Sequence, residues 1–374
     1  MLVYIITLIV SSFFAFCSDL TDCVKSRTIC TKYHKTDLSL LLFVFSAIPL
    51  ILVRGFRYGI GFDYFYNYVP SFQNVVNGGK SHYEFLFNVY LKVISIFTSD
   101  YKVFFFIDSI FFICLVWVAI YLLNCKVFIP ITLFVGGYDF IRSFGYVAQY
   151  LAMSICLISF ACMIRREFKK SIVLIVLAGF IHISALVYFA LPFSYYFIVK
   201  IKNMRKIAVL LLFCLVIAFP LNSFLNYFYV NTRFGIYSAS NYYNNGATVT
   251  SLIFINTAVL LFMFVSVLYK NREDNAVVVA LLAQYFAFIF CVIQGGIPLL
   301  YRIVWYFSFA QIFSIQLFAD YLFDSKGRYI YIKKIFLAVI VLLYIAVTFG
   351  FYLQADNEEV VPYVSIFNTM LSTY

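Results

Sequence analysis

Several arginines stand where the apolar segments of the chain end, or in the loops that join those segments. They are Arg54, Arg57, Arg142, Arg233 and Arg302. A guanidinium group presents a planar fork of donors that suits phosphate oxygens, and it stays charged at neutral pH. Arginines that converge on one cavity would hold a diphosphate. Each of them could instead reach lipid headgroups or pair with a nearby acid.

The richest stretch runs from Arg57 to Tyr64 and reads Arg-Tyr-Gly-Ile-Gly-Phe-Asp-Tyr. Its two glycines would let the backbone approach a ligand closely. Asp63 lies beside an apolar surface, which suits a general base or an acceptor for a sugar hydroxyl. The alternative is an ion pair between Arg57 and Asp63 that only orders the loop. The two glycines do not form a dinucleotide fingerprint, since the third glycine and the preceding strand are missing.

His182 lies between two apolar half-helices. A polar side chain at membrane depth is costly unless it is used or hydrogen-bonded, so His182 is either functional or a bonded structural residue. Asp108 and Asp139 are further acids in apolar surroundings, and Asp139 is three residues from Arg142, which favours a structural pair. The histidines are scattered without carboxylate spacing, so we expect no metal site and no cofactor.

The composition indicates an integral membrane protein. Of 374 residues, 64% are hydrophobic and 11% are charged, whereas soluble domains average about 45–50% apolar and about 25% charged. The formal net charge of +11 does not indicate nucleic-acid binding, because the basic residues form short clusters between apolar runs. The first 17 residues contain no Lys or Arg, so we interpret them as a retained first helix and not as a signal peptide.

The apolar segments predict an all-α, polytopic helix bundle that forms a single domain over residues 1–374. The long segments are 1–17, 38–53, 103–123, 147–164, 206–224, 250–269, 276–294, 303–323 and 332–352. The short segments are 84–98, 127–140, 171–182 and 184–199. The basic clusters all face the cytoplasm if 84–98 does not cross and 171–199 crosses twice, with His182 near the apex. This gives about twelve crossings, both termini outside, and outer loops at 54–83 and 225–249. The alternative is one crossing over 171–199, with two or three clusters outside.

The chain resembles the bacterial polysaccharide polymerases of the Wzy/EpsG type over about residues 1–350. Their R-x-x-x-G-x-D-Y pattern is matched by Arg57, Gly61, Asp63 and Tyr64, with Phe62 where the family often has threonine. Their A-x-x-x-H-x-S-A element is matched by Ala178, His182, Ser184 and Ala185. Further similar elements are Glu84-Phe85-Leu86-Phe87, Arg233 with Tyr237, and Arg302 with Tyr306 and Phe307.

One element of the resemblance departs from the family. Gln149 and Ala152 resemble an R-Q-x-x-A element, but Ala148 occupies the arginine position. Arg142 precedes Gln149 by seven residues, about two helical turns. On a continuous helix Arg142 could therefore supply the guanidinium from the same face.

The resemblance implies a metal-independent, membrane-embedded glycosyltransferase of the C type in the bacterial inner membrane, with its active site facing the periplasm. Donor and acceptor would be undecaprenyl-diphosphate-linked oligosaccharides, and the product O-antigen or a similar surface polysaccharide. The implied partners are membrane lipid and a chain-length regulator protein, with no nucleic acid. Diphosphate or oligosaccharide would bind Arg57, Arg142, Arg233, Arg302, Tyr64 and Tyr237. Asp63 or His182 would accept the hydroxyl proton.

Two other functions use the same substrate class. A flippase for lipid-linked repeat units would usually show two similar halves, and this sequence has no internal repeat. An O-antigen ligase would usually show one large outer loop between late helices, whereas the predicted outer loops span only residues 54–83 and 225–249. Both functions remain alternatives to a polymerase.

Overall fold

The computed structural model describes residues 1–21, 23–24, 33–34, 36–123, 125–214, 246–294, 300–323, 329–347, 349–350, 353, 356 and 359–367. Short strands β1 (Cys23–Val24) and β2 (Tyr33–His34) pair antiparallel. The first α-helices are α1 Leu2–Thr21, α2 Asp37–Phe45, α3 Ile48–Gly55, α4 Val69–Val76, α5 Phe85–Phe97, α6 Tyr101–Leu123, α7 Phe128–Gly136, α8 Asp139–Arg142 and α9 Val147–Ile164. The later ones are α10 Phe168–Ile181, α11 Ala190–Ile198, α12 over 204–214, α13 Gly246–Lys270, α14 Asn275–Ile293, α15 Tyr301–Ser308, α16 Gln311–Leu322 and α17 Tyr329–Val347. A π-helix spans Tyr64–Tyr68, and a 3₁₀-helix spans Ile183–Phe189.

Six described helical stretches are long and apolar enough to cross a bilayer. They are Leu2–Thr21, Asp37–Gly55, Tyr101–Leu123, Val147–Ile164, Leu252–Lys270 and Asn275–Ile293. Helices α15 and α16, bent by 45°, make a seventh if they form one span. The prediction of a helical membrane protein is confirmed. By length and composition, these stretches account for six or seven of the twelve predicted crossings.

The described chain packs as two compact units. The first comprises Met1–Cys162, Lys169–Leu186 and Ala338–Tyr374, and the second comprises Met163–Phe168 and Val187–Leu337. The first unit contains most of α9, the candidate span with the largest buried share, 94%. Serine pairs join its helices, with Ser18 contacting Ser39 at 3.0 Å and Ser159 contacting Ser171 at 2.7 Å. Small polar residues of this kind let membrane helices approach closely and hydrogen-bond.

Buried amide side chains connect three helices of the second unit. Gln311 on α16 donates through Nε2 to Oδ1 of Asn256 at 2.7 Å and to Oε1 of Gln284 at 2.9 Å. Gln284 on α14 donates to the carbonyl oxygen of Asn256 on α13 at 2.9 Å. Because no water is available in a bilayer, such amides must bond to one another. The cluster therefore fixes the three helices in register.

The first unit has two distinct ends. At one end the Asp19 carboxylate accepts from the backbone N–H groups of Val127 and Phe128, at 2.8 Å and 3.0 Å. At the other end of α1, Tyr4 Oη donates to the carbonyl oxygen of Val360 at 2.6 Å. Since α1 has 20 residues, it is about 30 Å long. The start of α1 and the segment at residue 360 therefore lie together, on the side opposite the turn that precedes α7.

Two sequence expectations change with the helix boundaries. The predicted outer loop 54–83 contains the π-helix and α4. The placement of Arg142 and Gln149 on one helical face is wrong, because α8 ends at Arg142 and α9 begins only at Val147. The predicted break at His182 is confirmed, since α10 ends at Ile181 and the 3₁₀-helix begins at Ile183.

Candidate active site

Residues 56–63 form a loop after α3, here called the Arg57 loop, that touches the chain at Phe144. Gly61 has a φ of +99°, and a Cβ atom there would lie 2.7 Å from the carbonyl carbon and oxygen of Phe144. Gly59 has a φ of +66° and meets the ring of Phe65. Only glycine adopts such backbone angles without strain and allows so close an approach. The two glycines thus bring Arg57 against the turn at residue 144.

Arg57 is completely buried and has no carboxylate partner among the described residues. Its guanidinium donates to the carbonyl oxygen of Arg54 and, at 3.3 Å, to that of Phe144. The rings of Phe105, Phe144 and Tyr64 lie 4.5 Å, 5.3 Å and 5.7 Å from its Cζ atom. Its Nε atom has no hydrogen-bond partner within the described structure. The groups in contact with the charge are therefore carbonyl dipoles and aromatic faces.

Burial and the neighbouring guanidinium of Arg54 lower the pKa of Arg57 to about 9. Both effects disfavour the charged form. The group is still protonated at neutral pH, because that value lies above 7. Arg57 is therefore a desolvated cation that an anion would stabilise.

Arg54, one helical turn before Arg57, has a different environment. Its Nη1 atom forms an ion pair with Asp108 Oδ2 at 2.6 Å, and both side chains are fully buried. Its Nε atom donates to Ser143 Oγ at 3.0 Å, and Nη2 donates to the Ser143 carbonyl oxygen at 3.2 Å. Asp108 thus balances the buried charge of Arg54, and no anionic ligand is needed to account for that charge. The structure therefore assigns Arg54 to packing.

Asp63 ends the Arg57 loop and precedes the π-helix. Its Oδ1 atom accepts from Asn67 Nδ2 at 2.6 Å, and its carbonyl oxygen accepts from the N–H groups of Asn67 and Tyr68. The alternative of an Arg57–Asp63 ion pair is wrong, because Arg57 bonds to carbonyl oxygens. Asp63 is half-exposed, and π-helical turns are frequent at functional sites.

Tyr64, predicted to bind substrate, is buried beside Arg57. Its ring stacks on Phe105 with centroids 4.1 Å apart, and its hydroxyl donates to the Arg57 carbonyl oxygen at 3.4 Å. Burial is the largest cause of the raised pKa of its phenol. Tyr64 therefore packs against the arginine side chain and bonds to its backbone.

Arg142 begins the 142–146 turn, whose residue Phe144 contacts the Arg57 loop at Gly61. It closes α8, and its carbonyl oxygen accepts from the N–H of Gly145 at 3.1 Å. Its guanidinium lies over the ring of Tyr138, with Cζ 5.0 Å from the centroid. Tyr150 donates to Asp139, whose charge also acts on Arg142. The turn 142–146 thus places Arg142 near the Phe144 carbonyl oxygen, to which Arg57 donates. The predicted pairing of Arg142 with Asp139 is present as an electrostatic interaction.

A stacked pair connects the π-helix to the break at His182. Tyr68 stacks on Tyr83 with centroids 5.5 Å apart and planes at 3°. The next residue, Glu84, accepts from the N–H of Ile183 at 2.7 Å. His182 Nδ1 lies 2.8 Å from Ser184 Oγ. The half-exposed His182 is therefore fixed in a turn whose backbone a carboxylate anchors.

The remaining predicted site residues are not among the described residues of the first unit. Arg302 belongs to the second unit, on α15, where its Cζ atom is 6.0 Å from the ring centroid of Tyr301. Arg233 and Tyr237 lie outside the described residues. No three His, Cys, Asp or Glu side chains of the described chain are grouped so that they could hold a metal ion.

A model of the EpsG family matches residues 40–365. The chain belongs to the EpsG family. The matched range includes the Arg57 loop, the 142–146 turn and His182, and it ends in the C-terminal segment. No curated protein and no solved structure matches the chain. The resemblance predicted from the motifs is confirmed.

Membership indicates a membrane protein of the polysaccharide-polymerase type, with a role in polysaccharide biosynthesis and glycosyltransferase-like activity. For this EpsG family member, sequence reasoning missed two contacts of the site. The bond of Glu84 to Ile183 joins residues 99 positions apart. The C-terminal segment pairs with the Arg57 loop through backbone atoms. Such bonds do not depend on residue type, so the sequence does not indicate them.

Proposed function

We propose that this protein polymerises a surface polysaccharide from undecaprenyl-diphosphate-linked repeat units at the outer face of the inner membrane. The bond between the growing chain's anomeric carbon and its diphosphate oxygen breaks. A hydroxyl oxygen of the incoming repeat unit forms the new glycosidic bond. The hydroxyl proton passes to a base, and undecaprenyl diphosphate leaves as the anion. O-antigen, or a similar surface polysaccharide, is the product.

The observation that carries this proposal is the uncompensated charge of Arg57. Buried charges are normally paired, because desolvation alone is very costly. Arg54 has Asp108 as its counterion, whereas Arg57 has carbonyl oxygens and aromatic rings. A preorganised cation of this kind stabilises charge that grows on a leaving group. A diphosphate is the leaving group that the family's chemistry supplies.

We assign the other predicted residues roles in the same reaction. Arg142, near the turn that Arg57 contacts, would bind the same diphosphate or the first sugars, and Arg233, Arg302 and Tyr237 would bind diphosphate or oligosaccharide. Tyr64 would hold Arg57 in place. Asp63 and His182, both half-exposed, are the two candidates for the base. The proposed fold is the twelve-crossing, C-type arrangement, and a chain-length regulator is the expected protein partner.

Deletion of the gene tests the function. Loss of a polymerase leaves a single repeat unit on the lipid anchor at the cell surface, or transferred to its final acceptor. Complete loss of surface sugar with precursor trapped inside would indicate a flippase. Long chains that accumulate on undecaprenyl diphosphate would indicate a ligase. Either of the last two outcomes would refute the polymerase assignment.

A further inference from the structure

We infer that the C-terminal segment 359–367, here called the strap, is part of the active site and positions the Arg57 loop. This inference rests on the proposed function for its consequence, but the contacts that carry it are independent of that function. The strap follows α17 in the chain and lies outside every span predicted from the sequence. Nothing in the motifs of the site points to it.

The strap pairs with the loop through its backbone. Ser365 forms an antiparallel bridge with Arg57. The N–H of Tyr58 donates to the carbonyl oxygen of Val364, and the N–H of Ile366 donates to that of Phe56, both at 2.9 Å. These two bonds flank Arg57. The backbone of the buried cation is thus fixed on both sides by the strap.

A further bond holds the glycine turn of the loop. The N–H of Gly61 donates to the carbonyl oxygen of Glu359 at 3.2 Å. Gly61 is the residue whose closeness to Phe144 leaves no room for a Cβ atom. The strap therefore contacts the loop both at Arg57 and at its closest approach to the 142–146 turn.

Two tyrosines anchor the strap to the membrane helices. Tyr363 Oη donates to the carbonyl oxygen of Val53 on α3 at 2.9 Å, and Tyr4 Oη donates to that of Val360. Their rings meet edge to face at 5.9 Å. Burial raises the pKa of Tyr363 to about 12, and the charge of Arg57 opposes that rise. Tyr363 is thus a neutral hydrogen-bond donor within the electrostatic reach of the cation.

These contacts have a consequence for catalysis. A buried cation stabilises a transition state only if it is held in one place, because preorganisation is the source of the effect. The loop's own sequence cannot hold it, since two glycines make it conformationally free. The strap supplies the missing constraint. Residues 359–367 are therefore positioning residues for Arg57, and Tyr363 is the strap's side-chain anchor.

Truncation tests the structural part of the inference. One variant ends at Leu353 and lacks the strap, and its matched control ends at Phe367 and keeps it. Each carries Ile60→Cys, a site that is 2% exposed in the loop. The purified chains are treated with a maleimide, and the label at residue 60 is quantified by mass spectrometry. We expect labelling to increase several-fold without the strap and to stay at the full-length rate in the control.

A cross-link tests whether the strap acts as a fixed brace or as a moving lid. Phe56 and Ile366 are direct cross-strand neighbours, whose Cα separation of about 5.5 Å suits a disulfide. We expect oxidised Phe56→Cys/Ile366→Cys to make at least as much polymer as the same variant in its reduced form. Tyr363→Phe should reduce turnover. When Tyr363→Phe is combined with Phe56→Cys/Ile366→Cys, oxidation of the cross-link should restore turnover. A folding defect would lower the amount of protein and would not respond in this way.

Several results would overturn the inference. Equal labelling with and without the strap would show that the strap does not hold the loop. Full polymer from the chain that ends at Leu353 would show that positioning is not needed. Loss of activity only in the oxidised cross-linked form would identify a lid. If the variant that ends at Leu353 fails to fold, the test uses the full-length chain. Equal labelling of Ile60→Cys with and without Tyr363→Phe would then show that Tyr363 does not anchor the strap. If the deletion phenotype refutes a polymerase, the labelling comparison still decides whether the strap holds the loop.

Discussion

Arg54 and Arg57 stand one helical turn apart and are both fully buried, but their charges are balanced in different ways. Arg54 is balanced by Asp108, 2.6 Å away. Arg57 contacts no carboxylate among the residues that the structure describes, and one of its N–H donors has no partner there. Two cations so close together repel each other. An apolar residue at position 57 would avoid this cost, so we propose that Arg57 is present for its function.

The contrast predicts opposite effects of two matched substitutions. Arg54→Gln should lower the free energy of unfolding by about 3–5 kcal/mol, because Asp108 is left buried without its counterion. Arg57→Gln should cost much less stability and should abolish polymer. Thermal unfolding in detergent and polymer length in cells measure the two effects. If Arg57→Gln unfolds the protein as strongly as Arg54→Gln, Arg57 is a structural residue.

The base can be identified by a second pair of substitutions. Loss of a general base lowers turnover by about 10²–10⁴-fold, so one of Asp63→Asn and His182→Asn should do this while the lipid-linked repeat unit still binds. Turnover and binding are measured separately on purified protein. Glu84→Gln is the control, because its side-chain oxygen can still accept from the N–H of Ile183. Near-normal turnover in both Asp63→Asn and His182→Asn would exclude both residues as the base.

At the scale of elements, the apolar segments predicted most of the long helices and the break at His182, but not the other interruptions. The predicted segment 303–323 is two helices, α15 and α16, bent by 45°. The predicted segment 127–140 contains α7, which has nine residues and is about 14 Å long. That is half of a hydrocarbon core of about 30 Å. Hydropathy measures how apolar a segment is. It does not indicate where a helix is interrupted because tertiary contacts replace its backbone hydrogen bonds.

The candidate site was predictable in part for the same reason. Residue type marked Arg57, Asp63 and His182, because charges and imidazoles are rare in apolar surroundings. The counterion of Arg54 was not predictable, since Asp108 lies 54 positions along the chain and sequence gives no contact map. The strap was hidden as well, because its bonds to the loop use backbone atoms that every non-proline residue has.

The Arg57 loop gives a prediction at this scale. Gly61→Ala should displace the loop, since the new Cβ atom would lie 2.7 Å from the backbone of Phe144 and φ is +99°. Because Arg57 depends on that contact, polymer should be lost while the membrane helices stay folded. Polymer length and helical circular dichroism measure this. Gly78→Ala is the matched control: its φ is +85°, but nothing lies within 4 Å. If both variants lose polymer to a similar extent, backbone strain alone explains the loss, and the contact with Phe144 is not its cause.

At the scale of the whole chain, a group of basic residues flanks one end of the first unit in the sequence. The end formed by the close of α1 and the turn before α7 is flanked in the sequence by Lys25, Arg27, Lys32, Lys35 and Lys126. The opposite end gathers the start of α1, the Arg57 loop and the strap. Lysines and arginines concentrate on the cytoplasmic side of membrane proteins. From these contacts and charges we propose that the candidate site faces outward, as the proposed reaction requires.

Cysteine labelling in spheroplasts tests this orientation. Tyr66 is 76% exposed in the π-helix, so Tyr66→Cys should react with a membrane-impermeant maleimide in intact spheroplasts. Lys126→Cys, at the opposite end, should react only after permeabilisation. The unmodified chain is the control, because we predict that none of its nine cysteines lies in an outer loop. A diphosphate substrate on the outer surface can reach Arg57 only from that side. If Tyr66→Cys reacts only after permeabilisation, the arginine cannot serve that substrate, and the polymerase proposal fails with the topology.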